Sequence, residues 1–416
     1  MSSKRPAAPA PLSRREAPGV QVLDYEFSVA TPVFGGGVRI DKETPHHKKL
    51  DDVTPVRGAS IRGQLRFWWR ATHGCTASSV AEMRQRESEL WGASSKAGRV
   101  SLQVVGATSA KPFPVYEVDD ARRPQKGKEP LAYGAFPLQP AQAAANKTAG
   151  TLSELKGSVH LRLTVPDGSL GEVRDAVEAW LLFGAVGGRS RRGFGTVGPT
   201  TALDAAAFVK KFSAKTTLDG VPSLHGAELA VRRELKDRAD DAWSDALRRM
   251  REFRQLPVGR NSGSGKTPGR SRWPEPDFIR DRTRQAARNH ANRLVPVNKA
   301  PRAVFGMPII THFKDREDPS DTQFLPLDGK GTTRPYERMA SPVIVKALRQ
   351  GKGWVAACLV LADPGRRHLR VGLFQGKEYL GEVEWRVTEA EAAKIKPLES
   401  RSNDVLKAFL KYFTES

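Results

Sequence analysis

The sequence is short of several things, and each shortage removes a class of protein. Cysteine occurs only twice in 416 residues. Cys75 and Cys358 lie far apart and neither belongs to a C-x-x-C pair, so neither a disulfide framework nor a cysteine zinc site is indicated. No apolar run approaches the roughly 18 residues that a membrane-spanning helix requires, and the N-terminus carries neither an apolar signal core nor a lipidation signature. The chain is expected to be cytoplasmic, with no membrane partner. Aromatic residues make up only 7%, and no strand candidate shows the paired rings with which an RRM-type sheet stacks bases. Acidic residues are the other deficit: 46 Asp and Glu stand against 68 Lys and Arg, a formal charge of +22. Such an excess calls for a polyanion, and with membranes set aside that polyanion is nucleic acid.

Two stretches concentrate the positive charge. In Thr54-Pro-Val-Arg-Gly-Ala-Ser-Ile-Arg-Gly-Gln-Leu-Arg-Phe-Trp-Trp-Arg70, a Pro/Gly loop feeds a helix with Ile61, Leu65 and Trp68 on one stripe. Arg62, Arg66 and Arg70 recur at i, i+4 and i+8 on the adjacent stripe, and Arg57 lies just ahead. No acidic residue occurs between Val53 and Glu82. Like charges at this spacing repel, so the ladder points to an external anion, against the alternative of a solvated face or of carboxylate partners elsewhere in the fold. The second stretch, Gly187-Gly-Arg-Ser-Arg-Arg-Gly-Phe-Gly-Thr-Val197, interleaves Arg189, Arg191 and Arg192 with glycines and Phe194. That composition suits close backbone approach to a ligand, cations for phosphates and a ring for a base.

These two stretches resemble the hallmark motifs of the RAMP superfamily of CRISPR proteins. Thr31-Pro32 with Phe34-Gly-Gly-Gly37, Ser271-Arg-Trp-Pro-Glu-Pro276, Val304-Phe-Gly-Met-Pro-Ile-Ile310 and Arg338-Met-Ala-Ser-Pro-Val-Ile-Val-Lys346 narrow the resemblance. They are similar to the family of first RAMP subunits of type III-B (Cmr) RNA-silencing complexes, over about residues 25 to 350. The resemblance implies a noncatalytic subunit that meets guide RNA near its 3′ end, target RNA, or both. Other RAMP subunits are the further partners implied.

Patterning divides the chain. Residues 1–18 read as a disordered basic tail. Residues 19–212 carry strand, helix, strand, strand, helix, strand, the order of a ferredoxin-like (RRM-like) domain, with a poorly patterned insertion at about 107–156 and the glycine-arginine loop just before a last strand at Phe194–Val197. Residues 202–237 look like an inter-domain region. Residues 213–416 fit a second, irregular ferredoxin-like domain only because the resemblance implies it, so the fold class is α+β with two such domains and insertions. Within it, Asp240–Leu256 reads as a basic helix, Asp277–Leu294 and Thr388–Ile395 as further helices. From Arg248 to Arg293 thirteen cations face four acids, a tract expected to lie on a phosphate backbone or stay mobile.

Catalytic signatures are weak. Gly265-Lys266-Thr267 lacks the earlier glycine of a phosphate loop, whose place is held by Arg260. His46 and His47 adjoin without a third ligand, so neither metal nor cofactor is expected. The enzymatic alternative is a metal-independent RAMP endoribonuclease using His46, His47 or His73, or Asp41, with basic helpers. The expected function is RNA binding, with Arg57, Arg62, Arg66, Arg70, Arg189, Arg191 and Arg192 lining one groove. Trp69 and Phe194 are the candidate rings, and Arg270 and Arg272 further phosphate contacts.

Overall fold

The computed structural model describes residues 19–35, 55–106, 109–116, 127–139, 151–214, 216–264, 267–329 and 331–415. The basic tail and the loop bearing Asp41, His46 and His47 lie outside the described residues. The first unit runs β1 (Val20–Val29), α1 (Gly58–Thr72), α2 (Val80–Trp91), β2 (Ser101–Val105), β3 (Ser109–Pro114), α3 (Leu131–Gly134), β4 (Thr151–Lys156), β5 (Val159–Pro166), α4 (Leu170–Phe183) and β6 (Val197–Pro199). The inserted β3 and β4 pair as a hairpin, while the other strands form an antiparallel sheet in the order β2-β5-β1-β6. β5 alternates strictly: Val159, Leu161, Leu163 and Val165 are buried, whereas His160 and Arg162 are exposed. One face of the sheet is thus apolar and packs on α1 and α4, with Phe27 meeting Trp180 edge to face at 5.0 Å.

The chain continues through α5 (Ala205–Lys210), β7 (Ser223–Val231), α6 (Ala239–Arg254), the short ribbon β8 (Gly263–Ser264) with β9 (Thr267–Pro268), and α7 (Glu275–Thr283). Then follow β10 (Ile309–Thr311), β11 (Thr322–Leu327), β12 (Val343–Gln350), β13 (Gly353–Ala362), β14 (Arg370–Gln375), β15 (Glu378–Val383), α8 (Glu389–Ala392) and α9 (Val405–Thr414). A second antiparallel sheet has the order β12-β13-β7, and a third the order β10-β11-β14-β15.

Both faces of the second sheet are apolar, as expected of strands buried between layers. Ile344, Leu348, Val355, Ala357 and Leu359 pack against the helix layer of the first unit. Val343, Val345, Ala347, Ala356 and Cys358 pack against α6 and α9. The layers therefore run sheet, α1 with α4, sheet, α6 with α9, and the α1/α4 layer serves two sheets. Lys346 shares the face of Ile344 and Leu348, is 3% exposed, and donates to the Gly184 carbonyl at 3.0 Å, the residue that ends α4. Burial pushes its ammonium down from 10.5 to about 7.

Several expectations are corrected. The supposed inter-domain region contains α5 and β7, the latter an integral strand of the second sheet. The helix expected over Asp277–Leu294 spans Glu275–Thr283 only, because Arg284 adopts a left-handed conformation at φ 55°. The one over Thr388–Ile395 is a single turn, Glu389–Ala392. The last strand of the first unit is Val197–Pro199, beyond Phe194.

Candidate nucleic-acid interface

Local chemistry fixes the glycine-arginine loop before any ligand is considered. Arg189 sits in a left-handed conformation (φ 52°), Ser190–Arg192 forms a single 3-10 turn, and Gly193 returns left-handed (φ 75°). Thr31 explains its own place in the sequence: its hydroxyl donates to the Gly193 carbonyl at 2.7 Å and accepts from the Thr196 amide at 2.9 Å. Gly195 donates to the Pro32 carbonyl and Gly188 to that of Phe34. At Gly195 a Cβ would lie 1.9 Å from the Val186 carbonyl, so only glycine fits. From the other side Trp243 of α6 donates its indole N–H to the Arg192 carbonyl at 2.7 Å, and Phe194 meets the Trp243 ring at 4.8 Å. The loop is clasped by both units.

Its three guanidiniums have no carboxylate within ion-pair distance among the described residues. Arg189 lies over the Phe34 ring and Arg191 over Phe67 of α1, each at 5.7 Å. The Arg189 Nε is buried without a hydrogen-bond partner. Burial pulls all three below the ordinary arginine value, Arg192 to about 10. Arg254 of α6 joins them, one of its amines donating to the Tyr133 hydroxyl at 3.0 Å while its Nε is also buried and unpartnered. Desolvated cations without counter-charge are costly, and an entering anion relieves that cost.

The arginine ladder has a different fate. Glu87 of α2 is 4% exposed at its side chain and takes both Arg66, at 2.6 Å, and Arg70, at 2.9 Å. Arg66 also donates to the Gly92 carbonyl. Only Arg57 and Arg62 of that group lack an ion-pair partner among the described residues. Arg191 reaches α1 at Phe67, three residues before Arg70, so the loop meets the helix flank beside the ladder and not upon it.

The candidate rings are corrected outright. Trp69 and Phe194 are both 0% exposed. Trp69 spends its indole N–H on Glu172 at 2.9 Å, and Phe194 fills the core between Phe34 and Trp243. Arg270 and Arg272 are likewise engaged: Arg270 with Asp277 at 2.8 Å and the Asn292 carbonyl, Arg272 with the Pro257 carbonyl. They belong to a basic tract that is largely tied inward. Asp277 collects Arg270, Arg280 and two backbone amides, while Asp318 collects Arg280, His290 and the Ala287 amide. Burial alone would raise the Asp318 carboxyl, but those donors hold it at about 2. His290, Asp315 and Asp318 converge closely enough to hold a metal ion, yet Arg280 already binds both Asp318 oxygens, and a cation there would displace a guanidinium.

Among the described residues, the outward positions of the first sheet carry no Phe, Tyr or Trp. Val22, Asp24, Glu26, Gln103, Val105, His160 and Arg162 occupy them, with Asp24 and Arg162 paired at 2.7 Å. Among the potential catalysts, His73 is the described one, and its Nε2 lies 2.9 Å from Asp175, which also pairs with Lys211. Arg254, Tyr133, Phe34 and Phe67 were not among the expected site residues. The tyrosine comes from the unpatterned insertion and the arginine from a helix that reads as merely basic.

No described helix is long and apolar enough to cross a membrane. The model of the RAMP superfamily matches residues 26–197. Comparison with curated protein sequences finds no match. Among solved structures, the chain is similar to Cmr1 from Pyrococcus furiosus in its apo form, with 14% identity over 90% of this chain and 96% of that one, TM-score 0.45. A chain of the type III-B Cmr-beta complex bound to cognate target RNA is similar at 9% identity, covering 95% of this chain and 100% of that one, TM-score 0.46. Cmr6 from Pyrococcus furiosus is similar at 10% identity over 44% of this chain and 99% of that one, TM-score 0.23.

Proposed function

We infer that the chain is an RNA-binding, noncatalytic subunit of a type III-B CRISPR effector complex. The observation that carries the RNA reading is the cluster of half-buried Arg189, Arg191, Arg192 and Arg254, without a carboxylate within ion-pair distance among the described residues. The RAMP match over residues 26–197 supports the superfamily, and the motif blocks from Thr31 to Lys346 support the type III-B placement. Guide RNA near its 3′ end, target RNA and other RAMP subunits are the partners in this reading. The first unit, about residues 19–212, is read as ferredoxin-like, since β1-α1-β2-β5-α4-β6 gives the order β2-β5-β1-β6. In the second, about 213–416, β7-α6-β12-β13 repeats that scheme without a fourth strand, and the β10-β11-β14-β15 sheet is an insertion.

Arg57, Arg62, Arg189, Arg191, Arg192 and Arg254 would supply about six phosphate contacts, hence a log-log salt slope of about −4 for single-stranded RNA. No base edge is read by such contacts, which suits a protein that accepts any guide sequence. Fluorescence anisotropy of the full chain with a labelled single-stranded RNA across a salt series tests this. A slope near zero, or a slope unchanged in the Arg191→Ala/Arg192→Ala variant, overturns it. RNA fragments produced by the purified chain in EDTA would overturn the noncatalytic part in favour of an endoribonuclease.

A further inference from the structure

The insertion between β3 and β4 returns a short segment, residues 127–139, to the glycine-arginine loop. Gly134 packs on the Phe194 ring of that loop, where a Cβ would come within 2.9 Å. The segment is firmly seated: Tyr116 donates its hydroxyl to the Ala132 carbonyl at 2.8 Å, Glu129 pairs with Arg251 of α6 at 3.3 Å, and Ala135 and Leu138 are fully buried. Between those two anchors Phe136 is 65% exposed, more than any other large apolar side chain among the described residues. Its outward direction is set by the buried Ala135 and Leu138 on either side. Three residues earlier Tyr133, half-buried, holds Arg254 through its hydroxyl and lies in the electrostatic field of Arg189 and Arg192.

An exposed ring on a segment that packs against a loop of guanidiniums without carboxylate partners is the combination that binds unpaired nucleotides: the cations take the phosphate and the ring takes the base. We propose that the 127–139 segment makes the arginine loop a single-strand site, with Phe136 stacking an unpaired base, backed by Tyr133, whose phosphate is held by Arg189, Arg192 and Arg254. This deepens the RNA reading of the loop and rests on it. A duplex, with its bases already stacked on each other, can offer phosphates to this site but no free base face.

The test uses the full chain, a labelled single-stranded RNA of mixed sequence and the same oligomer with abasic riboses. Phe136→Ala should weaken the intact RNA by about tenfold, the loss of one stacked base. It should leave the abasic oligomer and the salt slope unchanged, and Phe136→Trp should restore binding. Equal weakening of both oligomers, or none, overturns the proposal. So does a variant whose only defect is failed co-purification with other subunits, which would make Phe136 a protein contact. The two readings separate cleanly: if Arg191→Ala/Arg192→Ala loses RNA while Phe136→Ala does not, the loop reading stands and the stacking one falls. Because Phe136 touches little of the core, its truncation does not threaten folding.

Discussion

The arginine ladder of α1 and the glycine-arginine loop carry the same chemical group at similar density, yet one is spent inside the molecule and the other is not. A single carboxylate makes the difference. Glu87, nearly buried, draws in Arg66 and Arg70 and fastens α2 to α1, so these guanidiniums hold the fold together. Around Arg189, Arg191 and Arg192 the neighbours are the Phe34 and Phe67 rings and the Arg191 carbonyl, which tolerate cations without neutralising them. Motif composition alone therefore does not distinguish a structural arginine from a binding one; the nearest acid does.

The largest expected effect tests the structural side. Arg66→Ala with Arg70→Ala strands Glu87 and should cost about 2–4 kcal/mol in chemical denaturation, below the full range for a buried pair because both guanidiniums are a third exposed. Its RNA salt slope should stay as in the parent; a slope loss matching that of the loop variant would erase the distinction between the two regions. Next comes Arg191→Ala with Arg192→Ala, expected to weaken single-stranded RNA about 10- to 100-fold and to flatten the slope by about 1.4, with unfolding midpoints unchanged or higher.

Lys346 sharpens the contrast, being a buried cation with no acid within ion-pair distance among the described residues. Its pKa in the folded chain, about 7, lies below the ordinary 10.5, so the unfolded chain binds the proton more readily. Stability should then rise with pH between about 7 and 10.5, the full penalty applying below about 7. Lys346→Met should remove that rise in thermal melts and gain about 1–3 kcal/mol near pH 7. A pH profile identical to the parent's would show that another group sets it. The smallest effect belongs to Arg62→Ala, exposed on the outer face of α1: about a two- to fourfold loss of RNA affinity and a slope lower by about 0.7 in the same anisotropy assay.

Much of this was legible in the residues. The alternation of β5 is visible in Val159, Leu161, Leu163 and Val165 and the three-four spacing of α1 in Ile61, Leu65 and Trp68, whereas the loop glycines, which suggest close approach to a ligand, serve a close-packed turn that Thr31 fastens. What was hidden depended on tertiary placement. Glu87 faces Arg66 only once the angle between α1 and α2 is known. Phe194 reads as an available ring because glycines surround it, but those glycines let it sink against Trp243. β7 escaped notice because Gly226 interrupts its apolar pattern, and β11 because Pro326 lies inside it. The basic tract looked free because its chief partners, Asp277 and Asp318, each gather cations from distant positions.

The indole of Trp243 is bonded to the Arg192 carbonyl and its ring sits against Phe194, and this has a practical corollary for dissecting the protein. The segment matched by the RAMP superfamily cannot be excised and studied as a faithful miniature: cut away from α6, the turn presenting its arginines would lose the wall it leans on. Whatever touches those arginines is thus sensing both halves of the chain at once, and damage to α6 should register in the shape of the turn as well as at Arg254.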